Sequence, residues 1–286
     1  MTFWRLGLLG YPLDHSRSPA LHQAALRALG WEGEYRLYPV RPTDAAALQA
    51  WVARVRTGQV HGLNVTIPHK TAVARLVDRL TPAAQATGAV NTLYRAAGQV
   101  VGDNTDAAGF WADARARLPL SDPTAWRGLV LGAGGAARAV AYALARAGMA
   151  VWVVARRPAQ AQALVRALAP WVTARLTPAA WDALPRLVAQ PGPAWLIVNA
   201  TPVGMAPHGD ASPWPATAPW PRPAAVYDLV YAPRPTRLVQ QARAAGLPAA
   251  DGLGMLVEQA ARAFVRWTAA AYEPVRAAML RAAGLA

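Results

Sequence analysis

The sequence predicts an α/β protein that is built from two successive α/β units. Over residues 4–100, short apolar runs alternate with helical patterns. From residue 128 onward, a strand, a glycine-rich turn, a helix and a second strand follow one another within about thirty residues. The chain has 286 residues, of which 54% are hydrophobic, so it can bury a large core. This composition excludes disordered and fibrous classes.

The N-terminal part contains predicted strands at residues 4–10, 35–40, 59–65 and 90–94. A helix is predicted over residues 19–29, with Ser18 as its N-cap and Pro19 in its first turn. A further helix is predicted over residues 106–118, with Phe110 on its apolar face and Pro119 just beyond its end. Because residues 11–15 interrupt the apolar N-terminal stretch and no small-residue cleavage site follows, we expect a first strand rather than a signal peptide.

The second part begins with the strand at residues 128–131, the glycine turn at 132–137 and a helix that runs to 147. Further strands are predicted at residues 150–155, 195–199 and 225–230. The proline-rich stretch 207–223 predicts a loop without regular structure. An amphipathic helix starting near Gly254 and a final helix complete the chain.

The composition also limits the classes of function. Without cysteine, disulfides, thiol nucleophiles and cysteine-zinc sites are excluded, and no run of eighteen apolar residues predicts a membrane span. We therefore expect a cytoplasmic protein without a metal site. The formal charge of +14 raises the question of a nucleic-acid partner. The arginines are spread singly, however, and no basic cluster is longer than Arg156-Arg157, so no nucleic-acid partner is expected.

One lysine stands out in this arginine-rich chain. Of the 29 basic residues, Lys70 is the single lysine. Lysine can lose its proton in a suitable environment and arginine cannot, which makes Lys70 a candidate for proton transfer. Two of the chain's few asparagines, Asn64 and Asn91, flank it in sequence. The alternative is a solvated lysine between asparagines that cap turns.

Asp106 is the best candidate partner for this lysine. It opens a predicted helix, where the helix dipole favours a carboxylate. The alternative is that Asp106 is an ordinary N-cap.

The glycine turn predicts a nucleotide site in a Rossmann-like unit. Gly132 allows a tight turn, Gly134 lets the backbone approach a pyrophosphate, and Ala137 permits close packing of the helix on the strand. The next strand ends at Arg156-Arg157 without the acidic residue that would bind the ribose of NAD. NADP is therefore favoured. For the glycine turn, the alternative is a turn in a parallel sheet that binds no nucleotide. For Arg156 and Arg157, the alternative is that both are solvated at the end of the strand.

Segments along nearly the whole chain resemble shikimate dehydrogenases in order and spacing. They are residues 16–22, 64–70, 88–92, 102–109, 132–138, 199–205, 227–236 and 252–259.

The resemblance implies an N-terminal substrate-binding and catalytic domain with a mixed sheet, formed by residues 1–106 and by C-terminal helices that return to it (248–286). It implies a Rossmann-like NADP-binding domain at residues 107–247. The implied reaction is the reversible NADPH-dependent reduction of 3-dehydroshikimate to shikimate, which serves chorismate and aromatic amino acid biosynthesis. A homodimer is one option for the assembly.

The resemblance also assigns roles to residues. Lys70 and Asp106 would form the catalytic pair. The substrate residues would be Ser16 and Ser18 for the carboxylate, with Tyr231 near it, Thr66, Asn91 and Gln259 for the ring hydroxyls, and Asn64 for the shape of the pocket. The cofactor residues would be Gly132, Ala133, Gly134, Gly135, Ala136, Ala155, Arg156, Arg157, Thr201, Leu229 and Gly252.

The chain departs from the family pattern at the strand that would bind the cofactor. Ala155-Arg156-Arg157 stands where the family commonly has Asn-Arg-Thr.

Two alternative functions remain open at this point. A quinate/shikimate dehydrogenase that uses NAD is disfavoured because the second strand ends without an acidic residue and because Ser16 and Ser18 favour shikimate. A non-catalytic nucleotide-binding protein is disfavoured because Lys70 is present together with Asp106.

Overall fold

The computed structural model describes residues 2–286, which divide into two compact units. The first unit contains residues up to 109 together with 256–286, and the second contains residues 110–255. The C-terminal segment therefore belongs to the N-terminal unit, although more than a hundred residues separate them in sequence. The boundaries expected from the sequence fell after residues 106 and 247, slightly before the observed ones.

The first unit is built on a six-stranded mixed sheet in the order β2-β1-β3-β5-β6-β4. Strand β1 pairs in parallel with β2 and β3, whereas β5 runs antiparallel to both β3 and β6. The mixed sheet confirms the expected fold class. The strands are β1 (Trp4–Gly10), β2 (Gly33–Pro39), β3 (Gly62–Val65), β4 (Arg79–Leu80), β5 (Thr92–Ala96) and β6 (Gln99–Asp103).

Helices cover this sheet, and the C-terminal ones pack closely on it. The indole Nε1 of Trp267 donates a hydrogen bond to the carbonyl of Leu93 at 2.9 Å. Gly62 leaves room for this indole, since a Cβ there would lie 2.1 Å from Trp267 Cδ1. The helices of this unit are α1 (Ser18–Ala28), α2 (Ala45–Arg56), α3 (Lys70–Val73), α4 (Pro82–Thr87), the start of α5 (Asp106–Arg117), most of α10 (Leu253–Thr268) and α11 (Tyr272–Ala283).

The predicted N-cap of α1 is wrong by one residue. Helix α1 begins at Ser18 itself, and the capping position falls on Arg17, whose side chain makes no capping hydrogen bond. The hydroxyl of Ser16 accepts from the Ser18 N–H at 3.3 Å instead. Because this oxygen comes from two residues upstream, it satisfies one free N–H of the first turn without a hydroxyl at the cap.

The second unit contains a six-stranded parallel sheet in the order β12-β11-β10-β7-β8-β9. This is the doubly wound order, and the strand order reverses between β7 and β10. The Rossmann-like prediction is confirmed. The strands are β7 (Trp126–Leu131), β8 (Ala150–Ala155), β9 (Leu176–Ala180), β10 (Ala194–Asn199), β11 (Ala224–Asp228) and β12 (Ala249–Asp251), and the helices are α6 (Gly135–Arg146), α7 (Pro158–Leu168), α8 (Leu184–Val188) and α9 (Arg237–Ala244).

The proline-rich stretch 207–223 contains no helix or strand, as predicted. Its two tryptophans nevertheless pack against the sheet, with Trp214 buried and Trp220 partly buried on the same apolar cluster as Trp195. Among residues 2–286, no helix is long and apolar enough to cross a membrane.

His22 is buried in the first unit, and its burial makes the free energy of unfolding depend on pH. Its ring stacks on Tyr35 with centroids 4.2 Å apart, and burial lowers the pKa of the imidazole to about 3. In the unfolded chain, the imidazole of His22 would bind a proton with a pKa near 6.5. The stability that neutral His22 contributes is therefore fully present above that pH and is lost as the pH falls towards 3.

We expect the free energy of unfolding to drop by about 2–3 kcal/mol between pH 7 and 4.5 on account of this residue. Urea unfolding of His22→Phe should show a correspondingly smaller drop, whereas His208→Gln, at an exposed histidine, should behave as the unmodified protein. Equal pH dependence in His22→Phe and the unmodified chain would contradict the assignment.

Candidate active site

Lys70 and Asp106 meet in the first unit. Lys70 is the first residue of α3 and Asp106 the first of α5, and Lys70 Nζ lies 2.5 Å from Asp106 Oδ2. Their side chains are only 17% and 8% exposed. The alternative of a solvated surface lysine is therefore not what the structure shows.

Asp106 is free to hold the lysine because another residue caps its helix. Asn104 Oδ1 accepts from the Ala107 N–H at 3.3 Å, so the carboxylate of Asp106 has no capping role. Its Oδ2 contacts Lys70, and its Oδ1 accepts from Asn91 Nδ2 at 2.8 Å. The position at the start of α5 also places the carboxylate where the helix dipole favours negative charge.

Asn91 connects this pair to the C-terminal helix. Its Nδ2 donates to Asp106 and also lies 3.3 Å from Gln259 Oε1, although Gln259 is 168 residues away in sequence. Its Oδ1 accepts from the Thr105 N–H at 2.8 Å. Asn91 and Gln259 are both buried, so their hydrogen bonds determine where the amides point.

Asn64 lies next to this cluster and supports it. Its Nδ2 donates to the carbonyl of Asn91 at 3.2 Å, and its Oδ1 accepts from the Tyr35 hydroxyl at 2.8 Å. Burial raises the pKa of Tyr35, so its hydroxyl keeps its proton for this bond. Asn64 thus orients the backbone that carries Asn91.

Ser16, Ser18 and Thr66 all lie in the first unit, near the start of α1 or just beyond β3. Ser18 is buried at the start of α1, and Ser16 is half-buried. Thr66 follows β3, and its N–H donates to the carbonyl of Leu9 at the end of β1. No residue in the described range 2–286 hydrogen-bonds to the Thr66 hydroxyl, which leaves it available to a ligand.

Tyr231 lies in the second unit, just beyond β11, and is half-buried there. The role in substrate binding that the sequence suggested for it stays a prediction.

The glycine turn of the second unit has the geometry of an anion site. Gly132 has φ +112°, and a Cβ on it would lie 3.0 Å from the carbonyl oxygen of Ala200. Gly134 precedes α6, and a Cβ on it would meet nothing within 4 Å. No side chain caps the start of this twelve-residue helix, which follows β7 beside the switch point between β7 and β10, where such sheets bind nucleotides.

Two arginines follow the neighbouring strand. Ala155 is the buried last residue of β8, and Arg156 and Arg157 after it are exposed. Within residues 2–286, no carboxylate forms an ion pair with either arginine. The two arginines suit the 2′-phosphate of NADP, and residues 155–160 contain no acid that would accept from a ribose hydroxyl of NAD.

Two polar residues that the sequence did not single out end strands β10 and β11. Asn199 ends β10 and Asp228 ends β11, and Asn199 Nδ2 donates to Asp228 Oδ1 at 2.8 Å. The Thr201 hydroxyl donates to Asn199 Oδ1 at 2.7 Å. Burial raises the pKa of Asp228 to about 6. A polar residue at the carboxyl end of each apolar run was the signal that could have identified them.

Leu229 and Gly252, which were both predicted near the cofactor, lie against each other. A Cβ on Gly252 would come within 2.2 Å of the carbonyl oxygen of Leu229, so only glycine fits there. At Gly254 a Cβ would lie 1.9 Å from Asp113 Oδ1, so a larger residue there would displace this carboxylate. Asp113, which the sequence analysis did not select, also accepts from the Tyr227 hydroxyl at 2.5 Å.

Comparison with known proteins relates this geometry to a family. Residues 8–93 match the model of the shikimate dehydrogenase substrate binding domain, and residues 252–280 match that of the shikimate 5'-dehydrogenase C-terminal domain. A shikimate dehydrogenase (NADP(+)) of Salinibacter ruber is 43% identical over 94% of this chain and 96% of its own. The chain belongs to the shikimate dehydrogenase family.

Solved structures agree with this membership. A shikimate 5-dehydrogenase from Thermus thermophilus, in complex with NADP(H) and shikimate, is 40% identical with a TM-score of 0.81, covering 98% of this chain and all of its own. A quinate dehydrogenase from Corynebacterium glutamicum in complex with NAD is 32% identical with a TM-score of 0.84, covering 98% of this chain and 99% of its own. The shikimate dehydrogenase family fold thus accommodates both dinucleotides.

Proposed function

We propose that this chain catalyses the reversible NADPH-dependent reduction of 3-dehydroshikimate to shikimate, with Lys70 and Asp106 as its catalytic pair. The chain is an oxidoreductase that uses NADP. The observation that carries the assignment of the pair is the buried contact between Lys70 and Asp106, which is joined through Asn91 to Gln259. A lysine beside several hydrogen-bonding groups suits a small polyhydroxylated acid, which supports this proposal.

The protein's part in the reaction is to move one proton. When bound, NADPH supplies the hydride that reduces the ring ketone. Lys70 Nζ donates a proton to the oxygen that becomes the hydroxyl, and it accepts that proton in the reverse direction. Asp106 holds Nζ in place with one oxygen, while its other oxygen is fixed by Asn91.

The substrate residues divide by the group that they would bind. The hydroxyls of Ser16 and Ser18 would hold the carboxylate, and Tyr231 would approach it. Thr66, Asn91 and Gln259 would bind the ring hydroxyls. Asn64 would act through Asn91 rather than on the substrate, since both ends of its amide are engaged by the protein.

Loss of a substrate contact should weaken shikimate binding without affecting NADP. Ser16→Ala, Ser18→Ala and Gln259→Ala should each weaken shikimate binding by about 0.5–1.5 kcal/mol, and by more where a buried partner such as Asn91 loses its hydrogen bond. Separate calorimetric titrations with shikimate and NADP would measure both affinities.

Gln49→Ala is a matched control for these variants, because Gln49 is exposed on α2 of the same unit. It should bind shikimate as the unmodified chain does. Normal shikimate binding by a folded Gln259→Ala variant would remove the C-terminal helix from the site and would argue against the proposed substrate domain.

The second unit would hold NADP along the carboxyl ends of its strands. The turn at residues 132–136 would bind the pyrophosphate through its backbone N–H groups. Arg156 and Arg157 would bind the 2′-phosphate beside Ala155. Thr201, Leu229 and Gly252 would line the nicotinamide side. Positive φ at Gly132 and the open space at Gly134 support this placement.

Substrate and cofactor choice are tested directly by an absorbance assay at 340 nm. Shikimate and quinate should each be assayed with NADP and with NAD. We expect the highest kcat/KM for shikimate with NADP, because β8 ends in two arginines and no acid. Higher kcat/KM for quinate with NAD would favour the alternative function, and no turnover with any pair would favour a non-catalytic protein.

The finer expectations about the cell and the assembly stay predictions. We propose a cytoplasmic location and a homodimer. Cell fractionation tests the first, and sedimentation equilibrium, which should give the mass of two chains, tests the second.

A further inference from the structure

A cavity of about 330 Å³ lies in the second unit at the amino-terminal ends of β7 and β10. The glycine turn follows the carboxyl end of β7, so the cavity is at the opposite edge of the sheet from the nucleotide site. Its volume is at the lower end of the range for small-molecule pockets. The cavity is lined by residues 188–192 and 219–222 together with Arg127 and Trp195.

The guanidinium of Arg127 is held rigidly at this cavity. Its Nε donates to the carbonyl of Pro193 at 3.0 Å, and its Nη1 and Nη2 donate to the carbonyls of Pro191 and Gln190 at 3.4 Å each. The group lies 4.1 Å from the centroid of the Trp195 ring. Of the five N–H donors of a guanidinium, these bonds use three, so one donor on each terminal nitrogen remains.

The positive charge at the cavity has no counter-charge. None of the lining residues is acidic, and no ion pair within residues 2–286 includes Arg127 or Arg222. Arg222 donates a hydrogen bond to the carbonyl of Ala245. Burial lowers the pKa of Arg127, because half-buried positive charge is costly without an anion. An anionic ligand would relieve this cost.

Trp220 is a partly buried aromatic side chain that lines this cavity. Trp220 stacks on Trp214, with centroids 4.5 Å apart and planes 9° from parallel. Trp195 is 1% exposed, and its Nε1 has no hydrogen-bond partner within residues 2–286. Buried indole N–H groups are usually paired, but this atom is itself fully buried and is not open to a ligand in the cavity.

We propose that this cavity binds a planar aromatic carboxylate. The carboxylate would pair with Arg127 and Arg222, and the ring would pack against Trp220. Charge-assisted hydrogen bonds to guanidinium groups are well suited to a carboxylate, and the stacked indole favours a flat ring over a saturated one.

Benzoate is a suitable probe, and calorimetry measures its binding. The titration is done on the full chain with saturating shikimate and NADP, so that shikimate already fills the site that would bind the substrate carboxylate. We expect benzoate to bind at least about tenfold more tightly than acetate, benzyl alcohol or inorganic phosphate, since each of these lacks the ring, the charge or the planar carboxylate.

Substitutions of residues that line the cavity test whether benzoate binds there. Arg222→Gln should weaken benzoate binding by about tenfold or more. Arg243→Gln is the matched control, because Arg243 is also exposed and its Nη2 also donates to a backbone carbonyl, that of Ala249, outside the cavity. Trp220→Leu should weaken benzoate more than acetate, and it provides a second test if Arg222→Gln does not fold.

Several results would overturn the proposal. Loss of benzoate binding when shikimate is added would place the probe in the substrate site. Equal affinity for phosphate or acetate would indicate a general anion site without selection for a ring. Unchanged benzoate affinity in both folded cavity variants would place the ligand elsewhere. None of these outcomes depends on the assigned dehydrogenase activity.

Discussion

Lys70→Ala should lower kcat by about 10²–10⁴-fold, while shikimate binding weakens only modestly. The physical reason is that Lys70 provides the proton, whereas the polar groups around Asn91 remain to bind the substrate. Lys70→Arg should lose turnover to a similar extent, because guanidinium keeps the charge but does not release a proton. Initial rates at 340 nm and calorimetric titration with shikimate measure the two effects separately.

Thr71→Ala serves as the matched control, since Thr71 is the exposed neighbour of Lys70 on the same short helix. Its turnover should be close to that of the unmodified chain. Near-normal turnover of Lys70→Arg would refute proton transfer by this residue and would leave Lys70 with a purely electrostatic role.

Arg156→Ala combined with Arg157→Ala should raise the KM for NADPH much more than that for NADH. Each charge-assisted contact to a phosphate is worth about 1.5–3 kcal/mol, so the loss of one contact raises KM by about tenfold or more. NADH has no 2′-phosphate and should be nearly unaffected. Steady-state kinetics with both cofactors provide the comparison.

Arg166→Ala, on an exposed arginine of α7 in the same unit, controls for the general loss of positive charge. It should leave the ratio of the two KM values unchanged. If the double variant loses NADPH and NADH equally, these arginines support the fold or bind another part of the cofactor.

Elements with strong local signals could be predicted, and those that depend on pairing could not. Strands β1 and β8 have the predicted bounds, because β8 is an uninterrupted apolar run and β1 is apolar except for Arg5. Strand β9, with the sequence LTPAA, was not predicted because Pro178 and the two alanines after it are weak strand formers. It exists because it pairs with β8 at the edge of the sheet, which is where a strand tolerates proline.

The missed polar residues follow the same physical rule. Asn104 caps α5, and Asn199 and Asp228 bond each other at adjacent strand ends. At the start of α5, either of two nearby side chains, that of Asn104 or that of Asp106, could accept from one free N–H group, and residue type does not decide between them. The bond between Asn199 and Asp228 depends on which strands are neighbours in the sheet, and sequence separation does not reveal this.

By itself, the sequence determined the α/β class, the glycine turn with its two arginines and the selection of Lys70, because each depends on residue type and on spacing over a few residues. Only the tertiary structure decided that Lys70 Nζ lies 2.5 Å from Asp106 and that Gln259 meets Asn91 across 168 residues. The contact of Gln259 forms because α10 packs on the first sheet, where Trp267 occupies the space that Gly62 leaves. Close packing between distant segments therefore assembles the site, and no local pattern in the chain encodes it.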